Sequence, residues 1–282
     1  MPTIRANDGT PLNYEIDDYT DPWEYRPVLI LLHGNGRNAE FWYRWVPYLS
    51  RDFRVVRPDM RGLGKSTFAD GSAVDLSVEI LVEDLLEIIH ALGVANVHFC
   101  GESMGGILGL VLAAQHPSLI KTLTLVSTPV FIEETMKERY ALGYGSRIEA
   151  MEKLGIRKWV AETTKITRLP ADENPGLYEW YVDEFSKGDP DLQVRMSRIV
   201  NQTNVTDILK DVKAPVLGLY PGEGQIASKS QENLLTDSLT NFSMRKLPSD
   251  FHMVQLLFPA VCCEHLREFC LGHDNLNKAD AE

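Results

Sequence analysis

Short apolar runs that alternate with helical stretches constrain this chain more than any other feature of its sequence. Residues 27–32, 54–57, 96–100 and 123–126 are compact and largely apolar, as expected of strands covered on both faces. Between the second and third runs, Val78, Leu81, Val82, Leu85, Leu86, Ile89 and Leu92 recur at the three-and-four spacing of one helical face. A second helix is expected over residues 103–116. Strand, helix, strand in this rhythm implies an α/β fold, with a mostly parallel central sheet flanked by helices through right-handed crossovers. Ahead of it, residues 3–7 and 10–16 read as two strands meeting at Asn7-Asp8-Gly9, a hairpin signal.

The rhythm stops at about residue 131. From there to residue 212 no convincing strand occurs, only helical stretches such as 148–159 and 176–185. Strand signals return at 215–220 and 242–247, with helices expected at 229–236 and 254–271. The expected organisation is one α/β core, residues 1–130 and 213–282, interrupted by a helical insertion, residues 131–212. The polar stretch from His273 onward is expected to fray.

Composition narrows the partners. A hydrophobic share of 44% and a charged share of 24% suit a packed soluble protein and exclude a disordered one. The net charge of −12, with no cluster of Lys and Arg, argues against nucleic acid and anionic membranes. The longest apolar run, 28–32, falls far short of the roughly 20 residues of a membrane span. The first eight residues carry no apolar signal segment, so a cytoplasmic location is expected. Cys100, Cys262, Cys263 and Cys270 are too few and too clustered for a secreted disulfide scaffold and read as buried thiols. Oligomeric state is left open.

Chemistry concentrates at Gly101-Glu102-Ser103-Met104-Gly105, which follows an expected strand and opens an expected helix. A serine at so tight a turn is lifted above the sheet edge, and small neighbours are needed where the backbone is crowded. The dipole of the following helix favours negative charge near the serine oxygen. A hydroxyl is a poor nucleophile at neutral pH, so a base is required. His252 is the candidate, because imidazole titrates near neutrality and can return the proton to a leaving group. His90, His98, His116, His265 and His273 lie away from strand C-termini.

With these residues the chain resembles the α/β-hydrolase family, in its serine-nucleophile branch with a helical cap. His33-Gly34-Asn35-Gly36 follows a strand where that family keeps its oxyanion loop. Residues 58–66, Pro-Asp-Met-Arg-Gly-Leu-Gly-Lys-Ser, resemble its Asp-x-Arg-Gly-x-Gly-x-Ser turn. Phe251-His252-Met253 sits between the last strand and last helix, the place of its catalytic histidine, and the insertion sits in the place of its cap. The resemblance implies an oxyanion hole from the backbone N–H groups of Asn35 and Met104.

The third triad member departs from the family. Where an aspartate is usual, the chain reads Pro221-Gly222-Glu223-Gly224. Glu223 is the nearest carboxylate. Glu133, Glu134 and Asp250 are alternatives, as is a site without a strong carboxylate. Arg37 and Trp42, close behind the oxyanion loop, and the insertion aromatics Trp159 and Trp180 are candidate substrate contacts, with Tyr178, Tyr181 and Phe185 beside them. Arg195 and Arg198, also in the insertion, are candidates to recognise a substrate carboxylate, with exposed ion pairs the preferred reading.

Other motifs fail. Gly64-Lys65-Ser66 lacks the first glycine of a phosphate loop, since residue 59 is aspartate. No zinc spacing and no dinucleotide fingerprint occurs, so neither a metal nor a cofactor is expected. The expected activity is hydrolysis of a small to medium, mostly apolar ester, lactone or amide through an acyl-enzyme. The alternatives are a hydrolase of activated carbon–carbon bonds, as for ring-fission products, and a cofactor-free lyase, oxygenase or small-molecule receptor.

Overall fold

A computed structural model describes residues 3–68, 71, 73–224 and 226–279. Eight strands form one sheet: β1 (Thr3–Arg5), β2 (Pro11–Asp17), β3 (Val28–Leu32), β4 (Arg54–Pro58), β5 (Val97–Glu102), β6 (Ile120–Val126), β7 (Val216–Pro221) and β8 (Phe242–Leu247). Their spatial order is β1-β2-β4-β3-β5-β6-β7-β8. β1 and β2 pair antiparallel, β2 runs antiparallel to β4, and the rest of the sheet is parallel.

The periodicity of β3 explains its unbroken apolar run. Val28, Ile30 and Leu32 face one hydrophobic core, while Leu29 and Leu31 face another on the opposite side of the sheet. A strand covered twice has no face on which a polar residue would be wetted.

Helix α1 (Val46–Leu49) precedes β4; α2 (Val78–Leu92) and α3 (Met104–Gln115) flank β5. The Ser77 hydroxyl caps α2 by accepting from the Ile80 N–H, and Gly93, at φ 67°, ends it. Five helices lie between β6 and β7: α4 (Glu134–Ala141), α5 (Arg147–Leu154), α6 (Ile156–Thr167), α7 (Pro175–Phe185) and α8 (Pro190–Gln202). α9 (Lys229–Ser238), α10 (Val254–Leu257) and α11 (Pro259–Ala279) complete the chain.

Two expected helices are each divided. The stretch over 148–159 is broken at Gly155, whose φ of 76° no helix accommodates. That over 254–271 is broken before Pro259, which lacks the N–H an uninterrupted helix would use. α11 then continues to Ala279, past the point at which fraying was expected, and residues 280–282 of that tail lie outside the described residues.

Candidate active site

β3 and β5 are neighbours, yet the chain leaves β3 for β4 on one side and later adds β5 on the other. At such a reversal the loops beyond the strand ends diverge and leave a crevice. The loop from His33 follows β3 and Ser103 follows β5, so both open at that crevice.

Ser103 has φ 53° and ψ −117°, a left-handed conformation that a side chain adopts only under constraint. The constraint is visible. Its N–H donates to the Val126 carbonyl at 3.0 Å, and its own carbonyl accepts from Gly106 and Ile107. A Cβ on Gly101 would press into the backbone of Gly105 and Gly106, and one on Gly105 into the carbonyls of Leu32 and His33. The hydroxyl caps nothing and is left free for chemistry. Met104 opens α3, so its N–H is one of the first-turn donors without an intrahelical acceptor.

His33 braces the loop opposite. Its Nδ1 lies 2.8 Å from the Gly34 carbonyl and its Nε2 accepts from the Met60 N–H at 3.0 Å. That pairing fixes a neutral ring, and burial pushes its pKa below the ordinary histidine value. The Asn35 side chain donates to Ser197 of α8 at 3.2 Å. Beneath, Asp59 accepts from Asn13, Ala39 and Lys65, and Arg61 forks onto Asp84, so the 58–66 turn is consumed by structure.

His252 stands in the loop between β8 and α10. The N–H groups of His252 and Met253 donate to the carbonyls of Thr167 and Arg168, at 2.9 and 3.2 Å, which ties this loop to the end of α6. The imidazole is 2% exposed, and its Nε2 lies 2.9 Å from Oε1 of Glu102. The other oxygen of Glu102 lies 3.1 Å from Nη1 of Arg37. Neither contact has in-line hydrogen-bond geometry; charge and proximity hold the three together.

Burial alone would raise the Glu102 carboxyl, but Arg37 and then His252 outweigh it and hold it below the usual carboxylate range. Burial pushes His252 below 6.5, and the Glu102 charge offsets this only in part. Gly34 makes the arrangement possible, since a Cβ there would strike both the Arg37 guanidinium and the Glu102 carboxylate.

Ser103, His252, Asn35 and Arg37 line one narrow cavity of about 20 Å³, room for roughly one water. Tyr140, Arg147 and Arg168 line it too, and none of these was singled out in the sequence. A larger open hollow of about 740 Å³ holds neither Ser103 nor His252; Arg37 and Trp180 border it.

The expected acid is not at this cavity. Glu223 is exposed on a separate hollow with Glu133 and Arg139, and its N–H donates to Asp250. Gly222 and Gly224 flank it, and its side chain stays in solvent, whereas Ile226 of the same loop reaches the cavity wall. Glu133 accepts from Ser228, and Glu134 pairs with Lys137. Trp42 also lies elsewhere: it packs edge-on against Trp45 in the core on the α11 side of the sheet. Trp159 is fully buried one layer behind the cavity, where its indole N–H donates to the Tyr140 carbonyl. Glu102 was legible only as the variable residue of the Gly-x-Ser-x-Gly pattern.

A hydroxyl on a strained turn, an imidazole against a buried carboxylate and free backbone donors together suit acyl transfer. Among the described residues no group of three His, Cys, Asp or Glu side chains could hold a metal ion, and no helix is long and apolar enough to cross a membrane.

Comparison with known proteins identifies the fold. A family model described as the alpha/beta hydrolase fold matches residues 27–160. RutD of Agrobacterium fabrum, whose name makes it a candidate carbamate hydrolase, is 30% identical over 93% of this chain and 99% of its own. The 3-oxoadipate enol-lactonase 1 of Acinetobacter baylyi is 26% identical over 69% of this chain and 70% of its own. The crystal structure of the enol-lactonase from Burkholderia xenovorans superposes with a TM-score of 0.80 at 24% identity, covering 95% of this chain and 99% of that one, and shares the fold.

Proposed function

The chain belongs to the α/β-hydrolase fold family, and on that footing we propose that it is a serine hydrolase with Ser103 as nucleophile. The observation that carries this reading is a strained, unbonded serine sharing one buried cavity with an imidazole that a carboxylate holds at 2.9 Å. His252 takes the Ser103 proton as the hydroxyl attacks a carbonyl, and the N–H groups of Met104 and Asn35 donate to the developing oxyanion. The imidazolium then protonates the leaving group. Water, activated by the same ring, releases the acid and restores the serine.

Glu102 takes the role expected of Glu223. It orients the ring and stabilises its cation, and Arg37 keeps it ionised. The helical insertion serves as a cap: its α6 end anchors the His252 loop, and its Ser197 steadies Asn35. The substrate is a small ester, lactone or amide, a range supported by relatives named as an enol-lactonase and as a methyl ester esterase. The test is labelling by a fluorophosphonate probe. Wild type is expected to label, and Ser103→Ala is not; equal labelling of both would remove Ser103 from the role.

A further inference from the structure

Three guanidiniums, Arg37, Arg147 and Arg168, line the Ser103 cavity, and the one carboxylate paired with any of them, Glu102, lies outside its lining. Glu102 is matched by Arg37, and among the described residues Arg147 and Arg168 make no ion pair. Both are buried, at 4% and 3% exposure, so neither reaches water in the way a long surface side chain does. Arg147 makes no hydrogen bond, and Arg168 makes one, from Nη1 to the Thr163 hydroxyl at 2.6 Å. The Nε of each is buried without an acceptor.

We propose that Arg147 and Arg168 form an anion subsite beside Ser103, and that the substrate carries its own carboxylate, held there while its ester or amide carbonyl meets the serine. This rests on the serine-hydrolase reading and names its substrate class.

Packing alone does not account for the pair. Arg147 opens α5 and Arg168 ends α6, so two helix termini bring them to one wall of the cavity. Each guanidinium lies against aromatic faces: Arg147 at 4.8 Å from Tyr140 and 5.0 Å from Trp159, Arg168 at 5.0 and 5.4 Å from the same two rings. These rings steady the cations and orient the planes. They offer no in-plane acceptor to the N–H edges, which a carboxylate does in the fork geometry that arginine matches. Apolar side chains of equal volume would fill the space at lower electrostatic cost. Burial, with Arg168 and Arg37 adding repulsion, pushes Arg147 down to about 10, a stress an incoming anion relieves.

The subsite anion is a spectator. The Ser103 Oγ–carbonyl bond forms as the acyl C–O or C–N bond breaks, the serine proton passes through His252 to the leaving alkoxide or amine, and water later cleaves the acyl-serine. The carboxylate in the subsite keeps its charge throughout.

Monomethyl and dimethyl succinate differ only in whether the remote end is charged, and succinate itself reports binding without turnover. Methanol release is expected to give kcat/KM at least tenfold higher for the monomethyl ester, a preference that Arg147→Met and Arg168→Met abolish and Arg147→Lys partly keeps. Succinate, followed by tryptophan fluorescence, is expected to bind wild type and Ser103→Ala alike and to weaken at least tenfold in either Met variant. The free Met variants are expected to melt no lower than wild type, which a merely structural arginine would not allow. Succinate binding unchanged by both substitutions overturns the subsite, as does equal use of the two esters. Arginine-dependent succinate binding in a protein that the fluorophosphonate probe does not label upholds the subsite and overturns the hydrolase reading instead.

Discussion

Glu102→Gln exchanges one carboxylate oxygen for an amide in a site with no spare volume. The substitution leaves the Arg37 guanidinium at 4% exposure facing a neutral partner, with Arg147 and Arg168 still charged on the same cavity. Removing one member of a buried ion pair costs about 3–5 kcal/mol, because the other charge stays buried. Arg37 keeps neutral contacts, at 3.3 Å to the Asn35 carbonyl and the Met253 sulfur and at 5.8 Å to the Tyr181 ring, but among the described residues no other carboxylate. At about 2 °C per kcal/mol for a chain of this size, Tm should fall by roughly 6–10 °C. Turnover should fall far more, by about 10⁴, as when other triads lose their acid.

The two losses separate in the double variant Arg37→Met/Glu102→Gln, which removes both charges. Its Tm should recover most of the drop while its turnover stays lost. Differential scanning calorimetry and single-turnover hydrolysis of an aryl acetate measure the two quantities on the same preparations. Glu223→Gln is the control, expected to match wild type in both. Turnover within about threefold of wild type in Glu102→Gln would refute the assignment. So would its loss in Glu223→Gln.

The acid limb of kcat/KM should lie below pH 6.5, since burial lowers the His252 pKa. Glu102 opposes that shift and Arg168 adds to it, so Glu102→Gln should move the limb to lower pH and Arg168→Met to higher pH. The same shift sets a sign for stability: the unfolded chain takes this proton first as pH falls. The His252 contribution is therefore complete above pH 6.5 and erodes below it, a loss that denaturant titrations at pH 7 and pH 5 would register. Cys262 and Cys270, pushed up to about 12 by burial, should resist a thiol reagent at pH 8 until guanidinium unfolds the chain; rapid native labelling would contradict their burial. Gly105→Ala should lower stability by about 1–3 kcal/mol and abolish serine labelling, because its Cβ meets backbone carbonyls that cannot move independently of the sheet.

The core of the fold was legible because its signals are local. β3 shows its burial on both faces as an unbroken apolar run, and α2 shows its one buried face as a spacing of three and four. The breaks at Gly155 and Phe258-Pro259 were legible too, in residues that cannot continue a helix, although amphipathic spacing carried the reading across them. α4 and α8 escaped. Both have low mean apolar content; α4 has only a weak apolar stripe, whereas α8 buries one face, Leu192, Met196 and Val200, among mostly polar residues.

The site divides along the same line. Ser103 and the Asn35 loop are set by turns a few residues long, so the sequence around each carries its geometry. The partner of His252 is set by three segments meeting, and no spacing encodes that meeting. Glu102 stood inside the most informative motif of the chain, yet as a variable position its identity carried no role until Gly34 and Arg37 were seen against it.

Arg147 and Arg168 are the sharper case. A net charge of −12 leaves few places for an anion to dock, and the sequence points to Arg37, Arg195 and Arg198 rather than to this pair. Charge summed over a sequence says nothing about where it is buried, and desolvation makes place decisive: two buried guanidiniums without a counter-charge outweigh many carboxylates solvated at the surface. The acidic exterior would slow the approach of an anionic substrate, and more so at low salt. Added salt should therefore raise the association rate of succinate while barely changing the Arg147-dependent part of its affinity. Stopped-flow fluorescence from low to physiological ionic strength measures both. An affinity that collapsed with salt would place the binding charge at the surface rather than beside Ser103.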